Sequence, residues 1–394
     1  MSGWYEAALG DFIHVQHGYA FRGSGITAEE RPQVLVTPGN FYIGGGFKSE
    51  KFKYFDGEYP DDYVLREGEI VVTMTDLSKD GDTLGYGAKI PANTKHVYLH
   101  NQRIGRVRWL TKDIDKEYLY WVLRTPEYQG YILGAATGTA VRHTSPSTII
   151  KYRWRLPLST EEQQAIAGVL SSLDEKIDLL HRQNKTLDAM TETLFRQWFV
   201  ASPQDGWKER SLSSVANFLN GLACQKYPPD NILERLPVLK IRELSGGISE
   251  SSDWATDKVK SEYIVEAGDV IFAWSASLMV KVWDGARCVL NQHLFKVTSD
   301  EFPKWFHLMW CKHHLAEFIA ISASHATTMG HIKRSDLDAA MVLVPSPPEL
   351  EAMSAQMSPL LEKQIANARQ IKTLESLRDT LLPKLMSGEV RVAY

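Results

Sequence analysis

The sequence predicts an α+β protein. Two strand-rich domains are separated by two long helices, and one domain-plus-helix unit is written twice with pseudo-twofold character. Three observations carry this. Landmarks of the first half return in the second at a spacing of 188–203 residues. Short β-branched and aromatic runs, punctuated by Gly, Pro and Asp, fill most of each half. An apolar pattern of period 3.5 closes the first half, and a less regular one closes the second.

The repeat is read residue by residue. Trp4 precedes Leu9 by five positions and Gly18 by fourteen, and Trp207 precedes Leu212 and Gly221 by the same intervals. LREGEIVV (65–72) parallels VEAGDVIF (265–272), with Gly68 over Gly268. Asn101-Gln102-Arg103 lies over Asn291-Gln292-His293, and His143 and Pro157 over His331 and Pro345. A unit near 190–200 residues is too long for a solenoid repeat, so a duplicated domain pair is the reading. The expected boundaries are 1–155 and 207–345 for the strand-rich domains, with 156–206 and 346–394 for the helical segments.

Strands are expected in EIVVTMT (69–75), HVYLHNQRIGRVRWL (96–110) and DVIFAW (269–274). The first long helix is expected from Thr160 to about Val200, with Gln163 at capping-box spacing from Thr160. At roughly 1.5 Å per residue it is about 60 Å long. Its seam is Ile166, Leu170, Leu173, Ile177, Leu180, Asn184, Leu187, Thr191, Leu194 and Trp198, five heptads of coiled-coil type with Asn184 as a register-setting polar residue. The second helix is expected from Glu349 to about Leu382. Leu361, Ile365 and Ala368 follow one register, and Ile371, Leu374, Leu381 and Leu385 another, so a local heptad defect is expected, with Pro383 ending or kinking the helix.

Composition bounds the function. Hydrophobic residues at 44% and charged residues at 23% are those of a globular chain able to bury a core. The 44 basic residues stand against 48 acidic ones, and a net charge of −4 excludes a generally basic nucleic-acid coat but not a local patch. Cys224, Cys288 and Cys311 are too few for a disulfide scaffold. The opening MSGWYEAALGDF lacks the basic and apolar regions of a signal peptide, and no apolar run is long enough for a membrane span; a cytoplasmic location is expected.

No catalytic constellation emerges. The phosphate-cradling GxxxxGK loop is absent, and Gly44-Gly45-Gly46 reads as a turn. HLMWCKHH (307–314) gathers His307, Cys311, His313 and His314 without metal-ligand spacing, so packing is the expected role and no metal is assigned; His14 and His17 are read the same way. The Ser346-Pro347-Pro348 and Tyr227-Pro228-Pro229 runs lack the following aromatic that stacks on a flipped base in amino-methylating enzymes. Asp174-Glu175-Lys176 matches half of a nuclease pattern but falls on the heptad helix.

Segment charges are uneven. The helical stretch 156–206 carries 4 basic and 8 acidic groups, whereas 1–155 carries 19 and 18. Within the first domain, Lys89, Lys95, Arg103, Arg106 and Arg108, with His96 and His100, form a run without an acid. So do Arg142, Lys151, Arg153 and Arg155 with His143. In the second domain Lys240, Arg242, Lys281, Arg287, Lys333 and Arg334 are scattered. Local stripes of this kind suit phosphate contact.

Three segments now carry a resemblance. LPLSTEEQQAIAGVLSSLDEKIDLL (156–180) resembles the central conserved region of the specificity (S) subunits of type I restriction-modification enzymes, the HsdS family. LVPSPPELEAM (343–353) and IKTLESLRDTLLPKLMSGEV (371–390) resemble its C-terminal conserved region, the LLPKLMSGEV ending being the most specific. The resemblance covers essentially the whole chain. It implies two target recognition domains, each reading half of a bipartite, asymmetric DNA site. The two helices would pair antiparallel, act as a ruler and dock two methyltransferase (M) subunits, with restriction (R) subunits joining the full complex. The chain itself would bind no cofactor and no membrane, and would not be catalytic. S-adenosylmethionine, ATP and Mg, with adenine-N6 methylation and ATP-dependent cleavage, would belong to the partner subunits. The competing readings are a self-contained methyltransferase or restriction enzyme, and a coiled-coil adaptor that binds only protein.

DNA contact is expected on loops after strands. In the first domain the candidates are Thr75, Lys79, Gln102, Arg103, Thr139, Arg142 and His143. In the second they are Trp274, Ser275, Gln292, His293, Thr327, His331 and Lys333, with Trp274 also suited to the core. Arg103 fits guanine O6/N7, and Gln102 or Gln292 fits adenine N6/N7.

Overall fold

The computed structural model describes residues 3–76, 78, 80–93, 95–138, 141–324 and 330–393. Two compact units emerge, residues 1–175 with 375–394, and residues 176–374. Each unit therefore holds one strand-rich domain and a stretch of both long helices.

In the first unit, a four-stranded antiparallel sheet has the order Ile13–His17, Ile104–Trp109, Ile70–Thr73, Gly87–Lys89. A second sheet runs Ile26–Thr27, Lys53–Phe55, Gln33–Val36, Val97–His100, Val64–Leu65, and its Gln33–Val36/Val97–His100 pair is parallel. The second unit repeats both. Its sheets run Asn217–Asn220, Leu294–Thr298, Val270–Ala273, Met279–Val282, and Trp254–Thr256, Arg235–Leu239, Cys288–Leu290, Ile264–Val265, again with one parallel pair. The strands form where the β-branched runs lie, and Val71, Val72, Ile271 and Phe272 are fully buried. The predicted run 96–110 is two strands, broken by the turn at Asn101-Gln102-Arg103.

Each domain opens and closes on one antiparallel ladder. Trp4–Ala8 pairs with Arg153–Pro157, and Lys208–Ser211 with Met341–Val344. From there the chain enters a long helix, α1 (Thr160–Arg196, continued by a wider turn, Gln197–Ala201) or α2 (Pro347–Ser387). The α1 cap is Ser159, one residue before the expected Thr160: its hydroxyl accepts the Glu162 amide at 3.2 Å. In α2 the matching box is Ser346 with Glu349, whose carboxylate accepts the Ser346 amide at 2.9 Å. The repeat-opening tryptophans tie onto these boxes, Trp4 Nε1 donating to Glu162 at 3.3 Å and Trp207 Nε1 to Glu349 at 3.1 Å.

Helix α2 is longer than expected. It passes through Pro359 and Pro383 and ends at Ser387. Beyond Pro383, Leu385 and Met386 are buried in the core of the first unit, as is the adjoining Leu382. Their burial, about 1.5–3 kcal/mol each, outweighs the roughly 3 kcal/mol a helix-interior proline costs. That core packs them against Ile166 and Leu170 of α1 and the domain's Trp121, Tyr118 and Ile132. In the second unit Phe195 and Phe199 join Trp305, Phe306 and Trp310 of the Lys304–Ser324 helix and Met357 and Leu361 of α2. The HLMWCKHH segment lies on that helix, with His307 and Cys311 buried, so packing is its role here.

Candidate nucleic-acid interface

The turn after Val97–His100 is clamped from two sides. A Cβ built on Gly18 would lie 2.0 Å from the Asn101 carbonyl oxygen, so only glycine lets the chain pass. Tyr19 N–H then donates to His100 O at 2.8 Å, and Gln102 N–H to Tyr19 O at 2.9 Å. The Asn101 side chain accepts the Arg103 amide at 3.1 Å, an Asx-type turn. Opposite, Met74 N–H donates to Arg103 O at 2.9 Å, and Thr144 N–H to Met74 O at 3.0 Å. Thr75 pairs with His143 and Asp76 with Arg142. The structure thus brings together Thr75, Arg103 and His143, with Gln102 and Arg142 beside them. Gln102, Arg103 and His143 are exposed, and Thr75 is buried with its hydroxyl 3.1 Å from His143 Nδ1. Lys79 and Thr139 lie outside the described residues.

The second unit reproduces this frame. A Cβ on Gly221 would lie 2.3 Å from Asn291 O. Leu222 N–H donates to Leu290 O and Gln292 N–H to Leu222 O, both at 2.9 Å. Trp274 N–H reaches His293 O at 3.4 Å, Ile332 N–H reaches Trp274 O at 3.1 Å, and Ser275 bridges to His331. Here the buried Ser275 hydroxyl lies 3.1 Å from Nδ1 of His293, on the turn, rather than from the strand-side histidine. Trp274 is half-buried; its ring stacks on Phe295 and sits 6.0 Å from His293 and 6.3 Å from His331. Its Nε1 donates to Asn220 Oδ1 at 3.1 Å, a partner that sequence reasoning missed although it directly precedes the landmark Gly221. Lys333 is exposed at the start of the Arg334–Ala339 helix, and Gln292 is half-buried. Thr327 lies outside the described residues.

Several members of the acid-free runs meet partners distant in sequence. Arg106 is buried against Glu69, Arg108 hydrogen-bonds Gln16, Lys89 pairs with Glu117, and Arg153 with Glu6. His100 is fully buried, and desolvation pushes its pKa down to about 4 even though Ile104 O holds its Nε2 at 2.8 Å. In the second domain Lys240, Arg242, Lys281 and Arg287 meet Asp253, Glu243, Asp284 and Glu266. Arg103 keeps an exposed guanidinium with no acidic partner among the described residues. Lys89, Arg106, Arg108 and Arg153 are thereby tied to the fold, and Arg103 is the member of its first run that stands at the turn.

The helix pair follows the predicted α1 column closely. Ile166, Leu170, Ile177, Leu180 and Thr191 are buried, and Leu173, Asn184, Leu187, Leu194 and Trp198 are half-buried. In α2, Leu361, Ile371, Leu382 and Leu385 are buried, whereas Ile365, Ala368, Leu374 and Leu381 are half-buried. The expected heptad defect is a polar stretch of one column. Gln364 accepts at its carbonyl from Asn184 Nδ2 (3.2 Å), and the fully buried Asn367 donates to Asn184 Oδ1 (3.0 Å). In the first unit Asp174 of α1 is held by Arg378 of α2 and by the buried Arg124 of the strand-rich domain, each at 2.7 Å. In each unit the α1 residues of rising number meet α2 residues of falling number, so the helices run antiparallel.

A family model for the type I restriction modification DNA specificity domain matches residues 1–189 and 204–376. The chain is 26% identical over 301 residues to the type I restriction enzyme MjaIX specificity subunit of Methanocaldococcus jannaschii, covering 70% of this chain and 69% of that one. It is 19% identical over 402 residues to the type I restriction enzyme HindI specificity subunit of Haemophilus influenzae, covering 79% and 87%. The crystal structure of a type I restriction-modification system S subunit from M. genitalium matches with a TM-score of 0.60 at 15% identity, over 97% of this chain and 96% of that one, which shows a shared fold.

Proposed function

The chain belongs to the type I restriction modification DNA specificity family, whose members confer sequence specificity rather than catalysis, and from that premise we propose that it reads a bipartite, asymmetric DNA site. Residues 1–155 and 207–345 each act as a target recognition domain. Residues 156–206 and 346–394 carry the helices that set the separation of the half-sites and dock two methyltransferase subunits, through which restriction subunits join. S-adenosylmethionine, ATP and Mg act in those partners, in the cytoplasm.

The observation that carries this reading is the duplicated frame with different side chains at equal positions. Arg103 stands where His293 stands and Met74 where Trp274 stands, while Thr75 and Ser275 keep a buried hydroxyl at one place. One backbone solution presenting two chemistries suits two readers with unlike half-sites. Lys79, Thr139, Arg142, His143, Thr327, His331 and Lys333 complete the proposed contact set, and Gln102 and Gln292 are its adenine-type readers.

The test is methylation mapping on the chain purified with its methyltransferase partner. A two-to-one assembly that methylates one split site is expected. Replacing residues 1–155 by a relative's domain should change one half-site, and loss of both would contradict the modular reading. Methyl transfer by this chain alone would overturn the non-catalytic assignment. A four-residue insertion in α1 adds about 6 Å and should lengthen the preferred spacer by one or two base pairs, at about 3.4 Å each.

A further inference from the structure

We infer that the buried hydroxyls of Thr75 and Ser275 are positioning residues that fix one histidine in each half-site reader, His143 and His293, with Nε2–H as the group offered to a base edge. The inference rests on the DNA-reading proposal above and adds the atom, its protonation and the residue that sets both.

The two hydroxyls occupy the same place in the duplicated frame. Each follows the residue whose peptide is bonded between the turn and the opposite strand, Met74 or Trp274. Each is nearly inaccessible, at 5% for Thr75 and 4% for Ser275. Each lies 3.1 Å from a histidine Nδ1. Among the described residues neither hydroxyl has another side-chain or backbone partner. A buried O–H with a single available acceptor donates to it, because an unmade donor bond in a dry site is costly. Nδ1 is thereby the acceptor of a neutral ring, and the proton sits on Nε2.

What differs between the units is the wall from which the histidine comes. In the first it is His143, on the strand side, and Arg103 on the turn has no acidic partner among the described residues. In the second it is His293, on the turn itself, with the Trp274 ring beside it. A shared hydroxyl anchor with a histidine from a different wall is a physical route to altered base preference on a similar backbone. An Nε2–H donor matches the guanine N7 and O6 acceptors of the major groove.

The experiment uses the complex of this chain with its methyltransferase partner and a library of randomised split sites, scored by sequencing the methylated fraction. Thr75→Val keeps shape and removes the hydroxyl. It should lower preference about tenfold at one position of one half-site and leave the other half-site as it was. Thr75→Ser should restore it. His143→Ala, at an exposed position, should relax the same position, and adding Thr75→Val to it should change nothing further. Ser275→Ala should relax one position of the other half-site. Unchanged preference in Thr75→Val and Ser275→Ala, or an equal loss over all sequences, would overturn the positioning role while leaving sequence reading intact. A wild-type complex without any base preference would overturn the sequence reading and this inference with it.

Discussion

Replacing Asp174 by Asn removes one charge at constant size from the junction of both long helices and the first strand-rich domain. Asp174 Oδ2 accepts from Arg124 Nη1 and Oδ1 from Arg378 Nη1, each at 2.7 Å. The Arg124 side chain is only 3% exposed; its other contacts are the neutral Gly44 carbonyl and Tyr120 hydroxyl and the faces of Tyr120 and Trp121. Stranding a buried cation costs about 3–5 kcal/mol. With 29% of Asp174 exposed, the lower end, about 3 kcal/mol, is the expected loss. For a unit of this size that is a fall of about 6–12 °C in Tm at neutral pH, read by circular dichroism. Burial acts to raise the Asp174 pKa, but the Arg124 charge and the hydrogen bonds from Arg124 and Arg378 outweigh it and hold the carboxyl below its ordinary value. Its stabilisation is therefore complete above the unfolded value, about 3.9, and is lost as pH falls through the depressed folded value. The gap between wild type and Asp174→Asn should narrow on the acid limb. A Tm difference under about 1 °C at pH 7, or a gap that stays constant into the acid limb, would refute the network's role.

Three further outcomes are expected. Gly18→Ala and Gly221→Ala force a Cβ onto a backbone carbonyl and should each cost about 3 kcal/mol in urea unfolding, whereas Gly130→Ala, in a helix with open space around it, should stabilise by up to about 1 kcal/mol. His100 must gain a proton on unfolding below its unfolded pKa of about 6.5; since burial holds it at about 4 in the fold, about 2 kcal/mol of stability should vanish between pH 7 and pH 5, and His100→Gln should flatten that slope. Asn367→Leu alone leaves Asn184 short of a partner in the seam and should cost about 1–2 kcal/mol, while the Asn184→Leu/Asn367→Leu double variant should melt at or above the wild-type temperature.

The duplication was legible because its landmarks are backbone-critical. Gly18 and Gly221 sit where a backbone carbonyl leaves no room for a Cβ, and the Asn101 and Asn291 side chains accept the amide two residues on, so both copies need the same residues there. The α1 column was legible because apolar residues fill most of it. The α2 column was not, since Gln364, Asn367 and Arg378 occupy it and a search for apolar spacing breaks at each. The partners of the basic runs were hidden for a related reason: Glu69 reaches Arg106 from 37 positions away, and Glu117 reaches Lys89 from 28. Local sequence shows the charges but not what the sheet lays beside them. The cap moved from Thr160 to Ser159 because both residues can accept an amide, and only the ladder ending at Pro157 fixes where the backbone turns helical. Asp174 looked like half of a nuclease motif; its oxygens are spent on two arginines.

The entry and exit of each strand-rich domain lie side by side on one ladder, Trp4–Ala8 against Arg153–Pro157 and Lys208–Ser211 against Met341–Val344. Neighbouring strands are about 5 Å apart, so everything between them is a closed excursion from the helical frame. If the coding sequence between two such seams were exchanged, the ladder would hold the incoming block by the same two ends. Such an exchange would import an entire set of exposed side chains in one step. The residues that cap and pair the helices, Ser159, Glu162, Ser346 and Glu349 among them, stay outside the exchanged block.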